Sequence, residues 1–436
     1  MAHEPSPFNI LLPSPLGAGH VLVNSYSRTL TELSSADAEA LRSGGPFSAE
    51  PVAQGLREIG ALTDAPERQR DAVYRAFERE QANTRDLVLV VPLTARCNMQ
   101  CTYCYQVIHG DFQGAAAADV GEWTAERVEA LGRFVRGQLA AEAYEAVQVR
   151  WYGGEPLLRL DLIETIGGRI AEETAAAGRR LHGMAVTNGV RLTAPAIATL
   201  RRFAVERLEI SLDGPRETHD RLRPLRTGRS SYETVLAAIA RAAEAFAEVV
   251  FRVNVHAANA EAIVPWLEEV APRARRPNVF LKFKLVEGDR SNTLDYPAFA
   301  ALTLRYRLAC RRLGLGVLQG ALATETCPAI RKNYYIVQPD LRVYKCPQNL
   351  GSGDHVGVLT PDGALAPTWR LAHWTGFHVS RSAGCDTCAH LPHCNGGCPY
   401  NEVMAGINAE ALDVYRRQER CCGEKHVPEL LLARLL

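Results

Sequence analysis

The chain has 436 residues, of which 47% are apolar and 22% charged, and acidic and basic residues cancel to a formal net charge of zero. That length accommodates two or three domains with sizeable cores, and the composition is that of a globular protein rather than a disordered or fibrous one. With no net charge, no global field favours nucleic acid or an anionic membrane, so neither is expected as a partner.

In chain order, residues 1–85 read as a small α+β unit. Asn9–Leu12 and His20–Asn24 are short strand candidates, and Ala36–Arg42, Pro51–Ile59 and Pro66–Gln81 have helical patterns. From residue 86 the pattern changes. Apolar, β-branched runs at Leu87–Leu93, Val147–Tyr152, His182–Thr187, Arg207–Leu212, Val249–Val255 and Val279–Val286 alternate with helical stretches at Thr124–Ala143, Leu160–Ala177, Pro195–Phe203, Tyr232–Ala247, Glu261–Val270 and Tyr296–Leu313. Such alternation predicts parallel βαβ units. Six units are too few for a closed eight-stranded barrel, so a partial TIM-like (βα)6 barrel or an open α/β sheet is expected, with chemistry at the carboxyl ends of the strands. From about residue 316 the alternation stops. The remainder is rich in Cys, Gly, Pro and His, with a hairpin expected at Tyr334–Gln338 and Arg342–Lys345. No run of about 18 apolar residues and no secretory signal pattern occurs, so the cytoplasm is the expected location.

Twelve cysteines need a reason in such a protein. Disulfides are disfavoured in a reducing compartment, and clustered cysteines there are metal ligands or catalysts. Three lie in the run Cys97-Asn98-Met99-Gln100-Cys101-Thr102-Tyr103-Cys104, directly after the first predicted strand of the α/β region. Eight more lie between Cys327 and Cys422, and Cys310 stands alone in an apolar helical run, as a buried thiol would. Three thiolates on one short loop suit three irons of a 4Fe–4S cluster and leave the fourth open. Zinc bound by the same thiols, or inert thiols, are the alternatives.

The triplet, with Tyr103 before its last cysteine, resembles the signature of the radical S-adenosylmethionine (SAM) superfamily. Further matches follow in order. Gly153-Gly154-Glu155-Pro156 ends the second strand and resembles the family's SAM-amino segment. Thr187-Asn188-Gly189 ends the third. Ser211-Leu212-Asp213-Gly214, then His219-Asp220 and Arg223, follow the fourth. The resemblance covers roughly residues 86–290. It implies that Cys97, Cys101 and Cys104 hold a catalytic 4Fe–4S cluster. It also implies that Tyr103, Gly153, Gly154, Glu155, Pro156, Ser211, Arg223 and Asn254 form the SAM site, with Ser211 and Arg223 on the carboxylate and Asn254 on the ribose.

Cys385-x2-Cys388-x5-Cys394-x3-Cys398 resembles the SPASM extension of the same superfamily. The resemblance implies a SPASM domain at 316–436 behind a radical SAM domain at 86–315, and two auxiliary 4Fe–4S clusters, three clusters in all. Cys327, Cys346 and Cys398 would serve the nearer auxiliary cluster; Cys385, Cys388, Cys394 and Cys421 (or its neighbour Cys422) would serve the outer one. Two departures stand out: Leu341 takes the place of a usual glycine, and the nearer cluster has only three evident ligands. A structural zinc module is the alternative. The N-terminal unit diffusely resembles small winged-helix units that bind leader peptides, and a structural cap is the alternative.

SPASM relatives implied by this resemblance modify peptides or proteins, with an electron donor such as ferredoxin or flavodoxin. The expected function is maturation of a ribosomally made precursor peptide by hydrogen abstraction, giving a C–S or C–C crosslink. Formylglycine-type oxidation of a protein Cys or Ser is the next reading. It is weakened because Pro347, not an aspartate, follows Cys346. Peptide epimerisation is third, and a non-catalytic iron–sulfur or zinc protein is the alternative of a different class.

Overall fold

The structure, a computed structural model, describes residues 3–14, 17–82, 85–104, 121–286, 291–318, 326–382 and 384–405, with 425, 427 and 430. The chain divides into two compact units. One comprises Met1–Ala82, Gln319–Pro328 and Gly376–Leu436; the other comprises Asn83–Leu318 and Ala329–Thr375. These units cut across the sequence-based division at 85 and 315.

In the first unit, β1 (Glu4–Pro5) pairs with β5 (Leu62–Thr63), and β2 (Asn9–Pro13), β3 (His20–Asn24) and β4 (Thr29–Leu33) form an antiparallel meander. The sequence reading omitted β4. Its residues are half-exposed with only Leu33 buried, so its apolar alternation is faint. Helices Ser35–Ser43, Glu50–Glu58 and Pro66–Gln81 occur where the 3.6-residue pattern placed them. Ser34 starts the first by accepting from Asp37 N, and Gly44, left-handed at φ 67°, ends it. Leu22, Leu33, Leu41 and Leu56 form this unit's apolar core.

The second unit is α/β. Strands β6 (Asp86–Pro92), β7 (Ala146–Tyr152), β8 (Arg180–Thr187), β9 (Val205–Ser211), β10 (Glu248–Val255), β11 (Val279–Leu285) and β12 (Gly316–Val317) run parallel, each beside the next. On the other side of β6 lies β13 (Tyr334–Val337), also parallel, followed by antiparallel β14 (Arg342–Tyr344), β15 (Gly357–Leu359) and β16 (Leu365–Pro367). All eleven belong to one sheet. The six predicted strands and the expected hairpin are present. The addition of β13 to β6 was not legible, because a lone four-residue strand carries no address for its partner.

Helices Ala125–Ala141, Leu160–Ala176, Ala194–Arg202, Tyr232–Ala245, Ile263–Ala274 and Tyr296–Arg312 connect successive strands. Thr124, Thr193 and Asp295 cap three of them. One face of the sheet packs on these helices. Phe251 meets Trp266 edge-on at 5.6 Å, and Phe283 meets Tyr306 at 5.0 Å. The opposite face carries Gln148, Arg150, Glu209, Arg252, Asn254 and Lys282. Glu209 lies 3.1 Å from Arg252 and 2.9 Å from Lys282. Burial alone would raise its pKa, but these two cations hold it at about 2.

Leu341 is left-handed at φ 68° in the β13–β14 turn. The backbone therefore keeps the conformation that glycine serves elsewhere, at a steric cost of about 1–2 kcal/mol for a leucine. Trp266 anchors the helical face, fully buried with Nε1 donating to Tyr232 at 2.8 Å. Trp266→Ala is expected to destabilise the protein by about 3–5 kcal/mol, checked by denaturant unfolding; a change below 1 kcal/mol would contradict this packing.

Candidate functional site

The cysteine loop leaves β6 and is fastened from two sides. On one side, Met99 bridges Leu225, Gln100 N and Thr102 N donate to Pro224 and Leu222 carbonyls, and Arg226 Nε donates to the Cys97 carbonyl at 2.8 Å. On the other, Gly154 N donates to Thr94 O and Glu155 N to Arg96 O. A Cβ on Gly153 would lie 2.5 Å from Thr94 O, and one on Gly154 would lie 2.4 Å from Arg96 O. Both positions therefore require glycine for contact with the segment leading into Cys97, and both still line the cavity described below.

Glu155 is fully buried, and its carboxylate faces the chain rather than the cavity. It accepts from Leu157 N at 3.0 Å, Thr187 Oγ1 at 2.7 Å and Asn188 N at 2.8 Å. Burial raises its pKa, and these hydrogen bonds oppose the rise. The turn it holds presents Asn188, whose Nδ2 lies 2.7 Å from Asn98 Oδ1 and 3.7 Å from Cys97 Sγ. These three bonds give Glu155 a supporting position under the Thr187–Asn188 turn. Pro156 is likewise buried and begins a 3-10 turn away from the cavity wall.

A second buried carboxylate, Asp213, lies beneath the opposite wall. It accepts from the Tyr103 hydroxyl, from Asn254 N at 2.8 Å and from Asn254 Nδ2 at 3.0 Å. Arg223 Nη1 lies 3.7 Å from it and donates to Tyr103 Oη at 2.8 Å. Burial, then Asp213, pushes the Tyr103 hydroxyl well above its usual range. Burial opposes the Arg223 charge, yet its neighbours Cys101, Tyr103 and Asp213 hold its pKa high. Arg223 Nε is buried without a hydrogen-bond partner among the described residues.

His219 and Asp220 are structural in this arrangement. His219 Nδ1 accepts from Asp213 N at 3.2 Å, which leaves the proton on Nε2 for Ser231 Oγ at 3.0 Å. Asp220 accepts from Ser231 N.

Cys97, Cys101, Tyr103 and Cys104 line a cavity of ≈ 270 Å³ with Gly153, Gly154, Ser211, Arg223 and Asn254. Met99, Tyr152, Asn188, Arg252, Lys284 and Gln348 line it too. Sequence reasoning missed Arg252 and Lys284 as site residues. Their signal was present in F-R-V-N-V and L-K-F-K-L, where polar residues occupy alternate positions of strands otherwise apolar. Among the described residues, no three Cys, His, Asp or Glu side chains are gathered as around a single metal ion; the three thiols share the wall of one cavity. A 4Fe–4S cluster attaches each thiolate to a different iron, so ligands spread along a wall fit it. Burial raises the Cys97 thiol and pushes Cys101 to about 12, a cost that bound iron would offset. The unpartnered Arg223 Nε, with Ser211 and Asn254 beside the same cavity, fits a carboxylate- and hydroxyl-bearing cofactor.

Cys327, Cys385, Cys388, Cys394 and Cys398 lie in the first unit and Cys346 in the second. Cys388 N donates to the Cys385 carbonyl and Cys394 N to the His390 carbonyl. Cys421 and Cys422 lie outside the described residues. Cys310 is buried on its helix, and burial pushes its thiol to about 12. No described cysteine is in a disulfide.

Residues 91–269 match the Radical SAM superfamily. The chain is 37% identical over 130 residues to a GTP 3',8-cyclase of Corynebacterium glutamicum, covering 29% of this chain and only 30% of that protein. It is 23% identical over 360 residues to mycofactocin maturase MftC of Mycolicibacterium smegmatis, covering 75% of this chain and 81% of that one. Among solved structures, native anSMEcpe with bound AdoMet superposes with a TM-score of 0.61 at 17% identity, over 80% of this chain and 99% of that one. Streptococcus suis SuiB bound to precursor peptide SuiA gives 0.52 at 13% identity, over 92% and 97%. These structural likenesses establish the fold.

Two outcomes test this geometry. His219 is held near 4 by burial, with Arg223 adding to the effect, against about 6.5 when unfolded. Its neutral form is the one the fold accepts. The stability it supports is therefore complete above about pH 6.5 and lost as pH falls toward 4, by up to about 3 kcal/mol. His219→Gln should flatten that part of the stability–pH curve, measured by chemical denaturation; an unchanged curve would refute the assignment. Asp213→Asn removes the charge opposite Arg223 and should weaken SAM binding by about tenfold or more, measured by anaerobic titration calorimetry, with wild-type affinity as the contrary result.

Proposed function

We propose, from the premise that this chain is a radical SAM enzyme, that it matures a ribosomally made precursor peptide by installing a C–S or C–C crosslink. The observation that carries this reading is the single cavity in which three thiols and the SAM-suited residues meet at the carboxyl ends of parallel strands. When bound, the cluster and SAM supply a carbon radical able to abstract hydrogen from the substrate. Cys97, Cys101 and Cys104 would hold the cluster. Arg223 and Ser211 would hold the SAM carboxylate, Asn254 the ribose, and the Gly153–Gly154 backbone the amino group. Glu155 and Asp213 position these groups from behind the wall. Helices on one sheet face and polar side chains on the other support the partial-barrel reading of residues 86–315.

We further assign residues 316–436 to a SPASM domain. Two auxiliary clusters would be held by Cys327, Cys346 and Cys398, and by Cys385, Cys388, Cys394 and Cys421. The missing fourth ligand of the nearer set would leave an iron for a substrate thiolate. Residues 1–85 would receive a leader peptide. The likeness to mycofactocin maturase MftC and to SuiB bound to a precursor peptide supports a peptide substrate; ferredoxin or flavodoxin would be the electron source. The turn after Cys346 brings Gln348, an amide, to the cavity. An amide is no general base, which disfavours formylglycine-type oxidation through this segment. Among the described residues no helix is long and apolar enough to cross a membrane.

Anaerobically reconstituted enzyme, given a precursor peptide encoded near its gene, should yield a product lighter by two hydrogens per crosslink in mass spectrometry. SAM cleavage with unchanged peptide would reject that substrate. Roughly twelve irons per chain are expected for three 4Fe–4S clusters, and replacing Cys97, Cys101 and Cys104 together by Ala should remove only the share of one cluster. Retention of all iron would overturn the ligand assignment.

A further inference from the structure

The cavity contains two cations that the cofactor reading does not use, Arg252 and Lys284. Arg223, Arg252 and Lys284 are the lysine and arginine residues among its described lining, and no described Asp or Glu lines it. Two of the three face a carboxylate from behind. Asp213 faces Arg223 at 3.7 Å, and Glu209 faces Arg252 at 3.1 Å. Glu209 also takes Lys282 at 2.9 Å. Lys284 makes no hydrogen bond or ion pair among the described residues, and its neighbour Lys282 repels it.

Its placement is specific. Lys284 stands opposite Asn254 in the β10–β11 register, two residues closer to the carboxyl ends than Lys282. The strand that carries it is separated from the cysteine strand by β7, β8, β9 and β10. The residue type is also unusual here. The chain has 49 basic residues, but only five are lysines, at 282, 284, 332, 345 and 425. An oxidised 4Fe–4S cluster with three thiolates carries one net negative charge and SAM one net positive charge. The two offset each other, and Lys284 remains the lining cation that no described carboxylate faces. Lys284 is exposed on the cavity wall, so its ammonium is open to an anion that enters the cavity and attracts it by charge.

We propose that the β11 wall is an anion subsite, in which Lys284 pairs with a carboxylate of the segment presented for reaction. That carboxylate is an Asp or Glu side chain or a free C-terminus. The peptide nature of the ligand rests on the maturase reading; the charge complementarity does not. Lys284 is then a substrate-positioning residue that sets specificity.

The test uses the reconstituted full chain with SAM, immobilised and incubated with libraries of synthetic decapeptides. One library has free and one amidated C-termini, and each is made with and without Asp and Glu. Bound peptides are identified by mass spectrometry. Wild-type protein and Lys284→Arg should retain carboxylate-bearing peptides at least tenfold over their neutral counterparts, and Lys284→Met should lose the preference. The library that shows the preference identifies the source of the carboxylate. Peptides retained without acidic preference overturn the proposal and leave the maturase reading intact.

A second measurement needs only the wild-type protein. Limited lysine acetylation is mapped with and without succinate. Protection of Lys284 supports the anion subsite even if no peptide is retained, in which case the maturase reading is what fails. Unprotected Lys284 with no peptide preference overturns the proposal, whether or not Lys284→Met folds.

Discussion

Two buried carboxylates hold the cysteine loop in place. Glu155 fixes the Thr187–Asn188 turn, and Asn188 reaches Asn98 and Cys97. Asp213 takes the Tyr103 hydroxyl from the other side and gathers Asn254 and Arg223 around it. A buried carboxylate without partners would be costly. Each therefore obliges its donors to adopt one geometry, and those donors come from the ends of different strands. The constraint turns a flexible eight-residue loop into a defined wall.

The same device recurs lower on the sheet. Glu209 sits between Arg252 and Lys282, and this contact lets the polar face of a parallel sheet carry a buried carboxylate with its counter-charges beside it. The helical face is built differently, from close apolar contacts such as Phe251 on Trp266. One sheet thus presents a rigid, apolar back and a polar front. The front ends in the cavity, where the compensation stops at Lys284. Function is concentrated where the internal charge balance is left open.

His219 and Asp220 show how motif residues divide between chemistry and support. Both read from the sequence as part of a cofactor-linked stretch; in the fold His219 bonds Asp213 N and Ser231 Oγ, and Asp220 accepts from Ser231 N. Gly153 and Gly154 are similar. Their lack of a side chain serves the approach of Thr94 and Arg96, and it is this approach that aims the loop. Such supporting positions matter because a site held loosely loses most of its positioning advantage.

The alternating strands and helices, the cysteine triplet and the order of the SAM-type motifs were all legible along the chain. Each is a local pattern: a period of apolar residues, or ligands spaced within one loop. Strand β4 was not legible because its apolar signal is weak, and the pairing of β13 with β6 was not because partner choice is not written within a strand. Nor could spacing show that Glu155 turns away from the cavity while Lys284 faces it. The sequence by itself determined the alternation of the six main strands with helices and the spacing of the cysteine triplet. The tertiary structure decided which side chains meet, because that depends on strand register and on which sheet face each residue occupies, quantities that exist only once distant segments have paired.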